Sequence, residues 1–111
     1  MQFSMKEKKG VTVITIEGKM IGGPDAALLS EKLHELIEKG QKRFVVNMEK
    51  VDWMNSSGLG ILIGGLTTVR NHQGDFKLCC LGKKPKELLE ITKLNKVFSI
   101  HAQEDDAIVD F

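Results

Sequence analysis

Val51-Asp52-Trp53-Met54-Asn55-Ser56-Ser57-Gly58-Leu59-Gly60 is the stretch on which the reading of this chain turns. The apolar run Phe44-Val45-Val46-Asn47-Met48 stands just before it, and Leu59, Leu62, Ile63, Leu66 and Val69 follow at helical spacing. The segment therefore reads as strand, polar loop and helix, with small polar residues at the helix entrance. Serine or asparagine there can cap unpaired backbone N–H groups, and the glycines let the backbone pass close to its neighbours. The same N–H groups, at the positive end of the helix dipole, suit an anion. The residues alone leave two roles open for the serine hydroxyls: helix caps, or a point of phosphate attachment.

On the N-terminal side, Phe3 and Met5 alternate with polar residues, and Lys8-Lys9-Gly10 turns the chain into the β-branched run 11–16. This predicts a β-hairpin whose second strand ends at Gly18. Ile21-Gly22-Gly23-Pro24-Asp25 reads as a loop, with Pro24 in the first turn of a helix and Asp25 well placed for its dipole. Leu28, Leu29, Leu33, Leu36 and Ile37 give that helix one apolar face, and Gly40 stops it. The strand at 44–48 is continuously apolar, as a central strand covered on both faces would be.

On the C-terminal side, Asn71-His72-Gln73-Gly74 breaks the helical pattern, and residues 76–81 form another buried strand ended by Gly82. Pro85 opens a third helix carrying Leu88, Leu89, Thr92 and Leu94. Residues 97–100 read as a short last strand, and 104–111 as a closing helical turn. Strands alternating with helices imply mostly parallel pairing, and the opening hairpin adds an antiparallel edge. The expectation is one α/β domain over residues 1–111: a mixed, mostly parallel sheet with an N-terminal β-hairpin and helices packed against it.

Composition narrows the function. The 111 residues carry 16 basic and 15 acidic side chains, a net charge of +1, which gives no case for nucleic-acid binding. The densest basic cluster, Lys83-Lys84-Pro85-Lys86, reads as a solvated helix entrance. No apolar run approaches the roughly 18 residues of a membrane helix, and the first residues lack the pattern of a signal peptide. Cys79 and Cys80 are adjacent, so on a strand they point to opposite faces and cannot pair with each other. Reduced cysteines and no export signal predict a cytoplasmic protein.

Catalytic motifs are absent. Gly58, Gly60 and Gly64 place the third glycine one residue late for a dinucleotide fingerprint, and no acidic residue follows the next strand. No Gly-Lys-Ser/Thr triplet exists for a P-loop. His34, His72 and His101 are dispersed and belong to no nucleophile–base or metal pattern, so each reads as a surface histidine. Trp53 and Met54 precede the serines and are of types enriched at protein interfaces, although Trp53 also suits the core at a strand end.

Asn55-Ser56-Ser57-Gly58-Leu59-Gly60 resembles the Asp-Ser-Ser/Thr-Gly-Leu-Gly signature of STAS domains, the bacterial anti-sigma-factor antagonists. The element order matches along nearly the whole chain. The resemblance implies a non-enzymatic, cofactor-free protein that docks on an anti-sigma factor with serine kinase activity and releases a sigma factor. It implies that Ser56 is the phosphoacceptor, that Ser57 caps the helix, and that a phosphatase acting on phospho-Ser56 is a further partner. The expected contact region is Trp53, Met54, Asn55, Ser57, Gly58 and Leu59. Two positions depart from the family. Asn55 replaces the usual aspartate, and the loop after the second strand reads Met20-Ile21-Gly22-Gly23 where the family carries an acidic residue. The alternatives are a non-switching scaffold subunit of a signalling assembly and a small nucleotide-binding domain.

Overall fold

The computed structural model describes residues 1–111. The elements are β1 (Gln2–Lys8), β2 (Val11–Met20), α1 (Pro24–Glu38), β3 (Arg43–Met54), α2 (Ser56–Asn71), β4 (Asp75–Cys79), α3 (Lys83–Ile91), β5 (Ser99–His101) and α4 (Glu104–Val109). They build a five-stranded sheet in the order β1-β2-β3-β4-β5, antiparallel between β1 and β2 and parallel elsewhere. The α/β architecture is the one expected. The hairpin closes through Lys9 and Gly10, both at positive φ, the two-residue turn that matches strand twist.

One face of the sheet carries the main core. Ile14 and Ile16 of β2, Phe44, Val46 and Met48 of β3, and Phe76 and Leu78 of β4 meet Leu29 and Leu33 of α1, Leu59, Leu62, Leu66 and Val69 of α2, and Leu89 of α3. The alternate residues Val11, Val13, Val45 and Cys79 face the other way, where Ala107 and Ile108 of α4 cover them. Both cysteines are free, as expected, and burial pushes the Cys79 thiol well above its ordinary pKa. Leu28 and Ile63, assigned by spacing to apolar helix faces, lie instead on exposed flanks.

α1 ends in a Schellman arrangement, with Gly40 N–H bonded to Ile37 O and Gln41 N–H to Leu36 O; Gly40 supplies the positive φ this requires.

Several boundaries differ from the sequence pattern. β2 runs through Gly18 to Met20, because Gly18, at φ +87°, absorbs an irregularity in the β2–β3 register and does not end the strand. β3 likewise continues past Met48 to Met54. Beyond Asn47 it pairs only with β2, so the charged Glu49 and Lys50 stand on a two-stranded extension open to solvent. Lys50 reaches Glu17 across that extension at 3.3 Å. β4 stops at Cys79, two residues early, because Cys80 adopts φ +64° and leaves the ladder. α3 begins at Lys83, before Pro85, and a 3-10 turn over Leu94–Lys96 precedes the short β5.

The face under α4 also holds polar groups that the strand pattern did not announce. Asn47 Nδ2 donates to Glu104 Oε1 at 3.0 Å, with Lys6 3.3 Å from the same carboxylate. The hydrogen bond from Asn47 is the main cause that holds the Glu104 carboxyl below its ordinary pKa, and Lys6 and Lys8 add to it. At the other end of α4, the buried Lys77 ammonium lies 2.8 Å from Asp110 and 4.9 Å from the centre of the Phe111 ring. These partners satisfy charges that would be costly to bury alone.

Candidate functional site

β3 delivers the chain to α2 with one intervening residue, so the polar loop expected from sequence is reduced to Asn55. Asn55 is extended, at φ −113° and ψ −175°, and its Oδ1 accepts the Gly58 N–H at 2.9 Å. Its own N–H bonds Met20 O at 3.3 Å, tying the helix entrance to the last residue of β2. Asn55, not Ser57, is therefore the cap. Side-chain amide and carboxylate oxygens serve equally at this position, which is why the exchange of aspartate for asparagine leaves the entrance intact.

With the cap assigned, both serines of the first turn are exposed. No acidic residue occupies that turn, and the first N–H groups of a helix have no partner within it. The local field thus favours a negative group at Ser56. Ser57 lies against the β2–α1 loop: a methyl on Gly22 would stand 3.0 Å from Ser57 Cβ, and Gly22 has φ +88°. Space and backbone together disfavour a side chain at position 22.

Burial divides the expected contact residues. Trp53 is 44% exposed, Asn55 is half-buried, and Ser56 and Ser57 are exposed. Met54, Gly58 and Leu59 are buried. Met54 and Leu59 point into the main core at 5% and 4% exposure, because β3 continues through position 54 and α2 turns Leu59 toward the sheet. Gly58 is packed against the β2 backbone, where a Cβ would meet Met20 O at 1.8 Å. That close approach accounts for a glycine at position 58 without any pyrophosphate. Gly58 serves packing between helix and strand.

Sequence reasoning missed Ile21, read only as loop, and Lys19. Ile21 is 52% exposed and shares with Lys19, Asp52 and Trp53 a surface cleft of about 440 Å³. Lys19 and Trp53 are register partners on β2 and β3. Lys84 of α3 sends its ammonium over the Trp53 ring, 5.5 Å from the centroid. The signal available in sequence was a pair of large apolar residues placed where the strand pattern had supposedly ended.

The histidines fall elsewhere. His34 and His72 are exposed and stack edge to face at 6.2 Å, each with Nδ1 2.8 Å from a carbonyl one helical turn earlier. His72 follows the C-terminus of α2, roughly 24 Å of helix away from Ser56. His101 is partly buried, not a free surface residue, and contacts Ser99 Oγ at 3.0 Å and Asp110 at 3.1 Å. The arrangement at Ser56 offers no neighbouring histidine as a base. Chemically it is an exposed hydroxyl in the first turn of a helix.

The sequence profile of the STAS domain matches residues 2–107 of the chain. The anti-sigma-B factor antagonist of Bacillus subtilis (strain 168) is similar, at 29% identity over 104 residues and 94% of each chain. A solved anti-sigma factor antagonist from Mycobacterium paratuberculosis superposes with a TM-score of 0.82 at 22% identity, over 98% of this chain and 92% of the other. The Bacillus cell fate determinant SpoIIAA, solved in its phosphorylated form, superposes with a TM-score of 0.76 at 20% identity over 98% of both chains.

Proposed function

The chain belongs to the STAS domain family, and from that premise we propose that it is an anti-sigma-factor antagonist whose docking is switched off by phosphorylation at Ser56. Its partner is then an anti-sigma factor with serine kinase activity, which the unmodified protein occupies so that a sigma factor is released. A phosphatase acting on phospho-Ser56 resets the switch. The observation that carries this reading is the exposed Ser56 at the first turn of α2, with the cap supplied by Asn55 and both serine hydroxyls outside it. The names of the relatives support the partner class, and the phosphorylated form of SpoIIAA supports the modification.

The physical effect of the switch follows from charge. A phosphate brings about −1.5 to −2 charges at neutral pH into the middle of the contact. Leaving such a charge buried and unpaired costs on the order of 2–5 kcal/mol. At 1.4 kcal/mol per tenfold, docking weakens by roughly thirty- to several-thousandfold. The helix dipole offsets a part of the charge without restoring the contact. No refolding of the domain is required.

A second reading is favoured by Asn55 and by the glycines at 22 and 23, which remove the family's acidic groups from the entrance. In that reading the chain docks as a non-switching scaffold. The test is to incubate the protein with ATP and each serine-kinase anti-sigma factor encoded in the same genome, and to locate phosphate by mass spectrometry. Modification at Ser56, with docking lost in Ser56→Asp and kept in Ser56→Ala, is the expected result. Docking without modification would establish the scaffold, and equal binding by parent and both variants would remove Ser56 as a control point.

A further inference from the structure

Two of the chain's exposed large apolar side chains, Ile21 and Trp53, stand together at the tip of the β2–β3 extension: Trp53 is paired with Lys19, and Ile21 follows Met20 just past the last rung, Met20–Met54. The indole is more than two-fifths exposed, between the buried Val51 and Met54 of the same strand. Lys19 and Lys84 have no carboxylate within 4 Å, so neither ammonium is neutralised by an ion pair within the chain. Lys84 holds its ammonium over the Trp53 ring, and Lys19 lines the cleft beside Ile21. Asp52 is the one carboxylate lining that cleft.

We propose that this patch, Ile21 and Trp53 between the ammonium groups of Lys19 and Lys84, is the anchor for an acidic docking segment of the partner protein, one with an apolar side chain flanked by carboxylates. The inference deepens the function proposed above and rests on it for the presence of a protein partner at the Ser56 end. Charge complementarity selects the occupant. An unpaired lysine held over an exposed tryptophan gives an apolar surface with a positive rim, and a partner carboxylate is attracted to the ammonium while its neighbouring apolar side chain covers the ring. A basic segment would leave Lys19 and Lys84 facing like charges.

The experiment uses the full chain and whichever serine-kinase anti-sigma factor of the same genome binds it, measured by calorimetry at several salt concentrations. Affinity of the parent should fall as salt rises. Trp53→Ala should weaken binding by about thirtyfold or more, as buried tryptophan anchors do. Lys84→Glu should weaken it and flatten the salt dependence, while Ile91→Ala, an exposed apolar residue at the opposite end of α3, should bind like the parent. Thermal melts confirm that each variant is folded, and Trp53→Phe, which keeps a ring in place, should recover most of the affinity lost in Trp53→Ala. If the parent binds while Trp53→Ala and Lys84→Glu bind equally well, the patch is not the anchor although the proposed function stands. Tighter binding by Lys84→Glu would show a basic partner and overturn the inference. If the parent binds none of these anti-sigma factors, the proposed function fails and this inference falls with it.

Discussion

Replacing Gly58 by alanine adds one methyl group, and its consequence follows from three distances. The new Cβ would stand 1.8 Å from Met20 O, 2.5 Å from Met20 C and 2.9 Å from Met20 Cβ. A carbon beside a carbonyl oxygen normally keeps about 3.3 Å, so the first turn of α2 must retreat from β2 by roughly 1.5 Å. The obstacle is backbone and cannot rotate away. Against this, alanine is intrinsically better than glycine in a helix by about 1 kcal/mol. Overpacking of this kind costs about 1–3 kcal/mol. The retreat also breaks the Asn55 N–H bond to Met20 O, worth about 1 kcal/mol, and strains the Asn55 cap, worth about another. The net expectation is a loss of about 2–4 kcal/mol, read as a lower urea midpoint at unchanged slope and a melting temperature down by roughly 10 °C or more. Gly60 and Gly64 of the same helix are the internal control. Both are exposed, a Cβ on either meets nothing within 4 Å, and alanine there should stabilise by up to about 1 kcal/mol each. Gly58→Ala equal in stability to the parent, or Gly60→Ala as damaging as Gly58→Ala, would refute the close-approach account of this helix.

The cap at Asn55 makes a graded prediction for denaturant unfolding. Asn55→Ala should cost about 1 kcal/mol, while Asn55→Asp keeps the acceptor, adds a negative charge at a helix N-terminus that has none, and should gain about 0.3–1 kcal/mol at low salt. Acid stability is set in part by α4. Glu104 is held below the ordinary carboxyl range first by the Asn47 hydrogen bond, and Asp110 first by its hydrogen bond from Lys77. A carboxyl with a lowered folded pKa contributes stability above its unfolded value and loses it as pH falls through the folded one. Stability should therefore be level near neutrality and fall below about pH 4. Unfolding midpoints from pH 7 to pH 2.5 should fall less steeply for Glu104→Gln than for the parent, and parallel profiles would exclude Glu104 as a contributor.

What the sequence determined by itself was everything that repeats locally. The β-branched run after Lys8-Lys9-Gly10, the helical spacing from Leu59 to Val69 and the small polar residues between strand and helix record which backbone each segment adopts. They give the order of elements, the mixed sheet and a serine at the mouth of α2. Periodicity reports whether a residue lies between two layers. It cannot report how far one strand outruns its neighbour, and so residues 49–54 read as loop although β2 alone suffices to pair them. That extension is what buries Met54, brings Met20 O against Gly58 and stands Ile21 beside Trp53. The choice of Asn55 over Ser57 as cap depended in the same way on where β3 releases the chain. On the other face, Asn47 meets Glu104 across 57 residues and Lys77 meets Asp110 across 33. A buried charge is legible only with its partner, and only the folded chain supplies the partner.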